Sequence, residues 1–307
     1  MSLLPSFPLL SRTSGLIVLG LLTACGGTEQ NRQTPSSPPR RLVSLAPSVT
    51  ESVAYLGLTG RLVAVTRFCD YPPEVRALPK VGGYIDPSLE AIVRVAPDLV
   101  LGLGEHEEVL AKLRRAGLRC LALDERDLEG IFGSLLRIGE VCKIPGLAEA
   151  KVAQLRAILA AARARVRPRG TPTVLVSVGR HAGQGALGTV YAAGPKTFLG
   201  QLLEIAGGKN LAPAGGAAFP PLSTEGLLGL DPEVIFDLVP GLEEQGLSEA
   251  KILSDWKKLP GLQAVKTGRV YVLGKSWAVR PSPRFPKVLE AFIRGLHPEL
   301  PQPGGNK

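Results

Sequence analysis

One uninterrupted helical pattern divides this chain and limits what it can fold into. From Pro145 to Val166 the apolar positions Val152, Leu155, Ile158, Leu159, Ala162 and Val166 recur at helical spacing in an Ala-rich background. Pro145 suits a first helical turn, and Pro168 ends the pattern. About 22 residues rising 1.5 Å each make a rod of roughly 33 Å. That length crosses the face of a small domain, so the segment reads as a rigid strut joining two lobes. A chain of 307 residues has room for two such bodies.

Both flanks of the strut carry the same grammar. Before it, short apolar runs at 41–46, 62–66, 99–101 and 120–123 have strand character, and helical stretches fall at 48–57, 88–95, 107–116 and 128–141. Ser48 stands where an N-cap is expected, with Glu51 three residues on and Gly57 as the stop. After the strut, strands are predicted at 173–178, 234–236 and 270–273, and helices near 197–206, 224–230 and 284–296. Strands alternating with helices indicate parallel sheets covered on both faces. The expected fold is α/β: two Rossmann-like lobes with parallel sheets bridged by a single long α-helix. The lobes span residues 40–144 and 170–298, and the bridging helix spans 145–167.

An internal repeat relates the two lobes. Ser88-Leu-Glu-Ala-Ile-Val-Arg-Val-Ala-Pro97-Asp-Leu-Val-Leu101 aligns without gaps on Ser223-Thr-Glu-Gly-Leu-Leu-Gly-Leu-Asp-Pro232-Glu-Val-Ile-Phe236. In each copy a Ser caps a short helix, a Glu stands in its first turn, and Pro with an acid leads into a strand. Glu90 and Glu225 therefore occupy equivalent positions, one per lobe.

The N-terminus reads as an address. Residues 1–24 hold one positive charge, Arg12, and an apolar run at 15–22 about half as long as a membrane span. Leu22-Thr-Ala-Cys25-Gly resembles the bacterial lipobox, which implies lipidation of Cys25 after signal removal. Residues 25–39 are polar and Pro-rich, as expected of a flexible tether. A domain so held sits beside a membrane without crossing it, outside the cytoplasm. Composition agrees with a folded domain: 45% hydrophobic and 21% charged residues, with only 5% aromatics. The net charge of +9 owes much to the segment 151–169, read as a solvated basic helix face. Outside the cytoplasm such a face meets anionic lipid more readily than nucleic acid, so no nucleic-acid partner is expected.

Several short segments, in order, carry a family likeness. They are Arg41-Leu-Val-Ser-Leu-Ala-Pro-Ser-Val-Thr-Glu51, Cys69-Asp-Tyr-Pro-Pro73, Val81-Gly-Gly-Tyr84, Gly207-Gly-Lys-Asn210 and Trp277-Ala-Val-Arg-Pro-Ser-Pro-Arg284. Together they resemble the substrate-binding proteins of ABC importers for cobalamin, siderophores and haem, over residues 40–298. The cobalamin-binding branch is the most similar. The resemblance implies a monomeric, lipid-anchored receptor that holds cobalamin or another metal chelate between two lobes and delivers it to a membrane permease. It implies neither a resident cofactor nor an enzyme. Ferric-siderophore or haem binding is the alternative, and an exported hydrolase on a similar fold a distant one.

A corrinoid or haem is a flat, largely apolar ring with polar edges, which aromatic faces and Arg forks suit. Tyr84 and Trp277 match aromatic ligand-contacting positions of the cobalamin branch, and Phe68 and Phe219 lie in other loops expected at the cleft. Arg280 could meet an anionic rim, and Arg180 and His181 follow the first strand of the second lobe. Haem ligation by Tyr84, His106 or His181 is the sharper alternative. The resemblance also implies that Glu90 and Glu225 dock onto permease arginines.

Other patterns carry less. Gly183-Gln-Gly-Ala-Leu-Gly188 spells a dinucleotide fingerprint, but Gly194-Pro195 forbids the helix that must follow. Cys69, Cys120 and Cys142 allow at most one disulfide, with no pairing specified. No metal framework or catalytic set follows from the spacing of the three His and four Cys.

Overall fold

The computed structural model describes residues 37–167 and 169–301. Everything below lies in the unit that begins at Pro38. The expected export signal, the expected lipidation site Cys25 and the expected tether up to residue 36 lie outside the described residues.

The first half reads β1 (Leu42–Ser44), α1 (Pro47–Tyr55), β2 (Leu62–Val65), α2 (Leu89–Arg94), β3 (Leu99–Leu103), α3 (Glu107–Arg115), β4 (Cys120–Leu123) and α4 (Leu128–Val141). Its strands form one parallel sheet in the order β2-β1-β3-β4. β1 and β3 are buried along their whole length, as central strands covered on both faces must be.

Helix α5 (Pro145–Val166) follows, with Pro145 in its first turn. It packs on α4 before it and on helices of the second half after it. Arg156 makes a two-pronged contact with Glu129 of α4 at 2.9 and 2.5 Å. Arg165 does the same with Glu290 at 3.2 Å. Part of the basic run is thus spent on ion pairs rather than facing solvent alone.

The second half reads β5 (Thr173–Gly179), β6 (Val190–Ala192), α6 (Phe198–Ile205), β7 (Lys209–Asn210), β8 (Pro221–Leu222), α7 (Thr224–Leu230), β9 (Val234–Leu238), α8 (Glu249–Trp256), α9 (Gln263–Lys266), β10 (Val270–Leu273) and α10 (Pro286–Leu296). Its sheet runs β10-β9-β5-β6-β8, with β7 also on β5. The expectation of a wholly parallel second sheet is corrected here. β6 is antiparallel to β5, and β8 to β6. The link from β5 to β6 holds no helix, and a parallel return needs a crossover long enough to carry one.

The repeat extends into the backbone. Ser88 accepts from the Ala91 N–H at 3.2 Å and Ser223 from the Gly226 N–H at 3.1 Å, so both are N-caps. Ala96 and Asp231, aligned in the repeat, both take left-handed φ, 44° and 42°. Each precedes a proline, which bars the right-handed helical conformation there. The strands that follow, β3 and β9, are both flanked by parallel neighbours.

The predicted cap of α1 is corrected. Its N-cap is Ala46, extended at φ −137° and making no side-chain cap bond, and Pro47 opens the first turn. Proline presets the helical φ at that position and moves the start one residue earlier. Glu51 is thereby freed from capping.

Candidate ligand-binding cleft

The loops leaving β1, β3 and β4 at their carboxyl ends open onto one cleft of about 810 Å³. Ser48 at the start of α1, Glu105 after β3 and Glu125 after β4 line it from this side. The opposite wall comes from the second half: Phe198 at the start of α6, Phe219 before β8, and Arg280 and Pro281 after β10. A crevice outside the carboxyl ends of parallel strands is the general ligand position in open α/β sheets. Phe68 and Phe219 face it while 53% and 43% exposed. Large aromatics left open to water on a concave wall mark a surface awaiting an apolar partner.

Across one end of the cleft the halves are tied by charge. Glu51 is buried, and its Oε1 accepts from Arg280 Nη1 and Arg284 Nη1, each at 3.0 Å. Ser282 Oγ donates to its Oε2 at 2.6 Å. Arg280 also pairs with Asp70 and donates to the Phe68 carbonyl at 3.3 Å. Burial alone would raise the Asp70 carboxyl, but the hydrogen bond and charge of Arg280 outweigh it and hold it below its ordinary range. Arg284 lies 3.8 Å from the Tyr71 ring centre. Arg280 therefore lines the cleft with its guanidinium already committed to two carboxylates.

Tyr84 is fixed from behind. The Leu103 N–H donates to His106 Nδ1 at 3.0 Å, which leaves the ring proton on Nε2. Nε2 donates to the Tyr84 carbonyl at 2.8 Å, and the two rings meet edge-on at 4.9 Å. Both nitrogens of the buried His106 are occupied, so it offers no lone pair to a metal in this state. Burial, then the charges of Glu105 and Glu125, push the Tyr84 phenol above its ordinary value.

Nothing in the sequence marks Glu125, and the spacing from Ser48 presents Glu51 as a capping residue. Glu125 follows β4, is 2% exposed, and accepts from Ser52 Oγ at 3.0 Å. Burial pushes its carboxyl up to about 7, against the lowering effect of the Ser48 and Ser52 hydroxyls.

Of the residues expected at a ligand, the structure brings Tyr84, Phe68, Phe219 and Arg280 to this cleft. It does not bring Trp277, Arg180 or His181 there. Trp277 packs on the core and borders a separate hollow with Tyr271 and Pro286. Arg180 turns inward, 2% exposed, between Asp237 at 2.8 Å and Asp255 at 2.7 Å. Two acids inside the second half need a buried cation, and Arg180 supplies it. His181 faces solvent. Glu90 and Glu225 are both exposed, beside Arg94 and the Ser223 hydroxyl respectively. The glycine run after β5 wraps a carboxylate of the protein itself: the Gly183 and Gly185 N–H groups donate to Asp255 at 2.6 and 2.9 Å.

Cys69, Cys120 and Cys142 are all free thiols. Among the described residues, no three His, Cys, Asp or Glu side chains gather into a metal site, and no helix is long and apolar enough to cross a membrane.

The family described as “Periplasmic binding protein” matches residues 42–276, and the chain belongs to it. A vitamin B12-binding protein of Vibrio campbellii is 26% identical over 251 residues, which is 81% of this chain and 86% of that one. A periplasmic haem-binding protein of Pseudomonas aeruginosa superposes with a TM-score of 0.72 at 29% identity, covering 86% of this chain and 96% of its own. The periplasmic vitamin B12 binding protein BtuF of Vibrio cholerae shares the fold, with a TM-score of 0.69 at 24% identity over 84% of this chain and 97% of its own.

Proposed function

We propose that this chain is the extracytoplasmic receptor of an ABC importer and that its cleft takes cobalamin or a related corrinoid. Cys25 is its lipid anchor, residues 25–39 its tether, and residues 40–144 and 170–298 its two lobes. The observation that carries the ligand assignment is the state of Arg280. Its guanidinium is engaged by Glu51 and Asp70, and the other arginine of the lining, Arg126, is paired with Asp124, so the apolar part of the wall is made by Tyr84, Phe68, Phe198 and Phe219 with no unpaired arginine among the lining residues. Such a wall suits a large apolar ring with neutral amide edges better than an anionic chelate. The relationship to a vitamin B12-binding protein supports the same choice.

Haem is the second reading, favoured by the likeness to a haem-binding protein. Against it, His106 has both ring nitrogens engaged. Ferric siderophores are the third. Titration of the purified protein with cyanocobalamin, haemin and a set of ferric siderophores decides among them by visible absorbance and calorimetry. The expected result is cyanocobalamin bound at about micromolar or tighter, and more tightly than the others. Tighter binding of haemin or of a siderophore overturns the corrinoid assignment, and no binding at all overturns the receptor reading.

A further inference from the structure

Glu125 is a polar group of the cleft wall whose chemistry the aromatic surfaces leave unused. Its Oε1 accepts from Ser52 Oγ, whereas Oε2 is buried and meets no partner among the described residues. An ionised carboxylate in such a place is costly, because the Ser48 and Ser52 hydroxyls offset only part of the penalty of burial. The neutral acid removes the charge and can carry its proton on the oxygen that has no hydrogen-bond partner among the described residues. Ser48, its neighbour on α1, lines the same cleft.

We propose that Glu125 selects the ligand. As a neutral acid it donates a hydrogen bond to an acceptor on the ligand's edge, an amide carbonyl or a carboxylate oxygen. As an anion it turns the same edge away. The inference rests on the cleft being the ligand site.

The surroundings fit this role. Glu51 on α1 and Asp124 beside it both press Glu125 toward the neutral form, after burial itself. Tyr84 and Glu105 stand in the same wall, and His106 lies behind Tyr84. The two nearby cations are committed elsewhere, Arg126 to Asp124 and Arg280 to Glu51 and Asp70. With its carboxyl at about 7, Glu125 changes form across the neutral range.

The test is calorimetric titration of the full protein with cyanocobalamin at about pH 5.5 and about pH 8.5, alongside Glu125→Gln and Glu125→Leu. If only the neutral acid binds, the unsubstituted protein loses about 30-fold in affinity at the higher pH. Glu125→Gln keeps an N–H donor and cannot ionise, so its affinity changes less than about threefold between the two. The other ionisable groups, Glu51, Asp124, Glu105, Tyr84 and His106, remain in that variant and serve as its control. Glu125→Leu has no donor and binds about fivefold more weakly than the unsubstituted protein at the lower pH. Affinity flat in pH, a Gln variant with the original slope, or a Leu variant of undiminished affinity overturns the inference alone. No binding by the unsubstituted protein at either pH overturns the corrinoid reading and this inference with it. Thermal melts establish that each variant is folded, and the Gln comparison decides by itself if the Leu variant is not.

Discussion

Arg280 Nη1 lies 3.0 Å from Glu51 Oε1, joining residues 229 positions apart and tying the loop after β10 to α1. Glu51 is 1% exposed and receives Arg284 and Ser282 as well, so its removal takes from Arg284 its carboxylate partner and leaves Arg280 with Asp70 alone. Glu51→Gln is expected to lower stability by about 3 kcal/mol, the scale for breaking a buried pair from one side. Arg280→Met combined with it should recover part of that loss in a double-mutant cycle. Denaturant midpoints measure both, and a loss under about 0.5 kcal/mol for the single change would mean the tie is of no consequence.

Stability should also depend on pH through Glu125. Its carboxyl sits at about 7 in the folded protein, against an ordinary 4.5 when exposed. The folded state therefore binds the proton more tightly. Its contribution is complete below about 4.5 and is lost as pH rises to about 7, by roughly 3 kcal/mol. Glu125→Gln removes that slope, so the variant should melt higher than the unsubstituted protein at about pH 8. Asp70 works in the opposite sense: its lowered carboxyl adds stability above its unfolded value, and the addition disappears on acidification. Melting curves across this range check both signs.

Tyr84 and Trp277 should separate cleanly. Tyr84 lines the cleft, while Trp277 packs on the core beside another hollow. Tyr84→Ala is expected to weaken cyanocobalamin binding about tenfold or more with little change in melting. Trp277→Ala should lower stability by about 2–3 kcal/mol and leave affinity within about threefold. Affinity lost only in the Trp277 variant would relocate the site.

Glu90 and Glu225 give a transport prediction. Both are exposed in the first turn of equivalent short helices, where two separated anionic points can orient the protein on a cationic partner. Replacing both by Ala should leave ligand affinity intact and abolish uptake and complex formation with the permease. Unchanged uptake would reduce each Glu to a helix-end charge worth about 0.3–1 kcal/mol.

Where signals were local, the sequence was readable. α5 begins at Pro145 and ends at Val166 because a proline stands at either boundary and the apolar period is unbroken between them. α7 and the two Ser caps follow from turn chemistry within four residues. β6, β7 and β8 escaped because strands of two or three residues carry no periodicity. Glu51 looked like a capping residue because its partners are more than 200 positions away. Arg180 did have a legible signal: Asp237 stands within the apolar strand Val234–Leu238, and an acid buried there demands a cation. Glu125 had none, since its environment is made by burial and by Ser48 and Ser52 of another element.

Each sheet is built from one unbroken stretch of chain, β1 to β4 before α5 and β5 to β10 after it. A break at the exposed Gly170 would sever no strand from its neighbours and no helix from its own hydrogen bonds. Two fragments made at that point would each keep a complete sheet. The packing of α5 on α6 and α10, the Arg165–Glu290 fork and the Glu51 cluster would be the means by which they find each other again. The architecture thus lends itself to fragment complementation, with reassembly of the two pieces rebuilding both walls of the cleft.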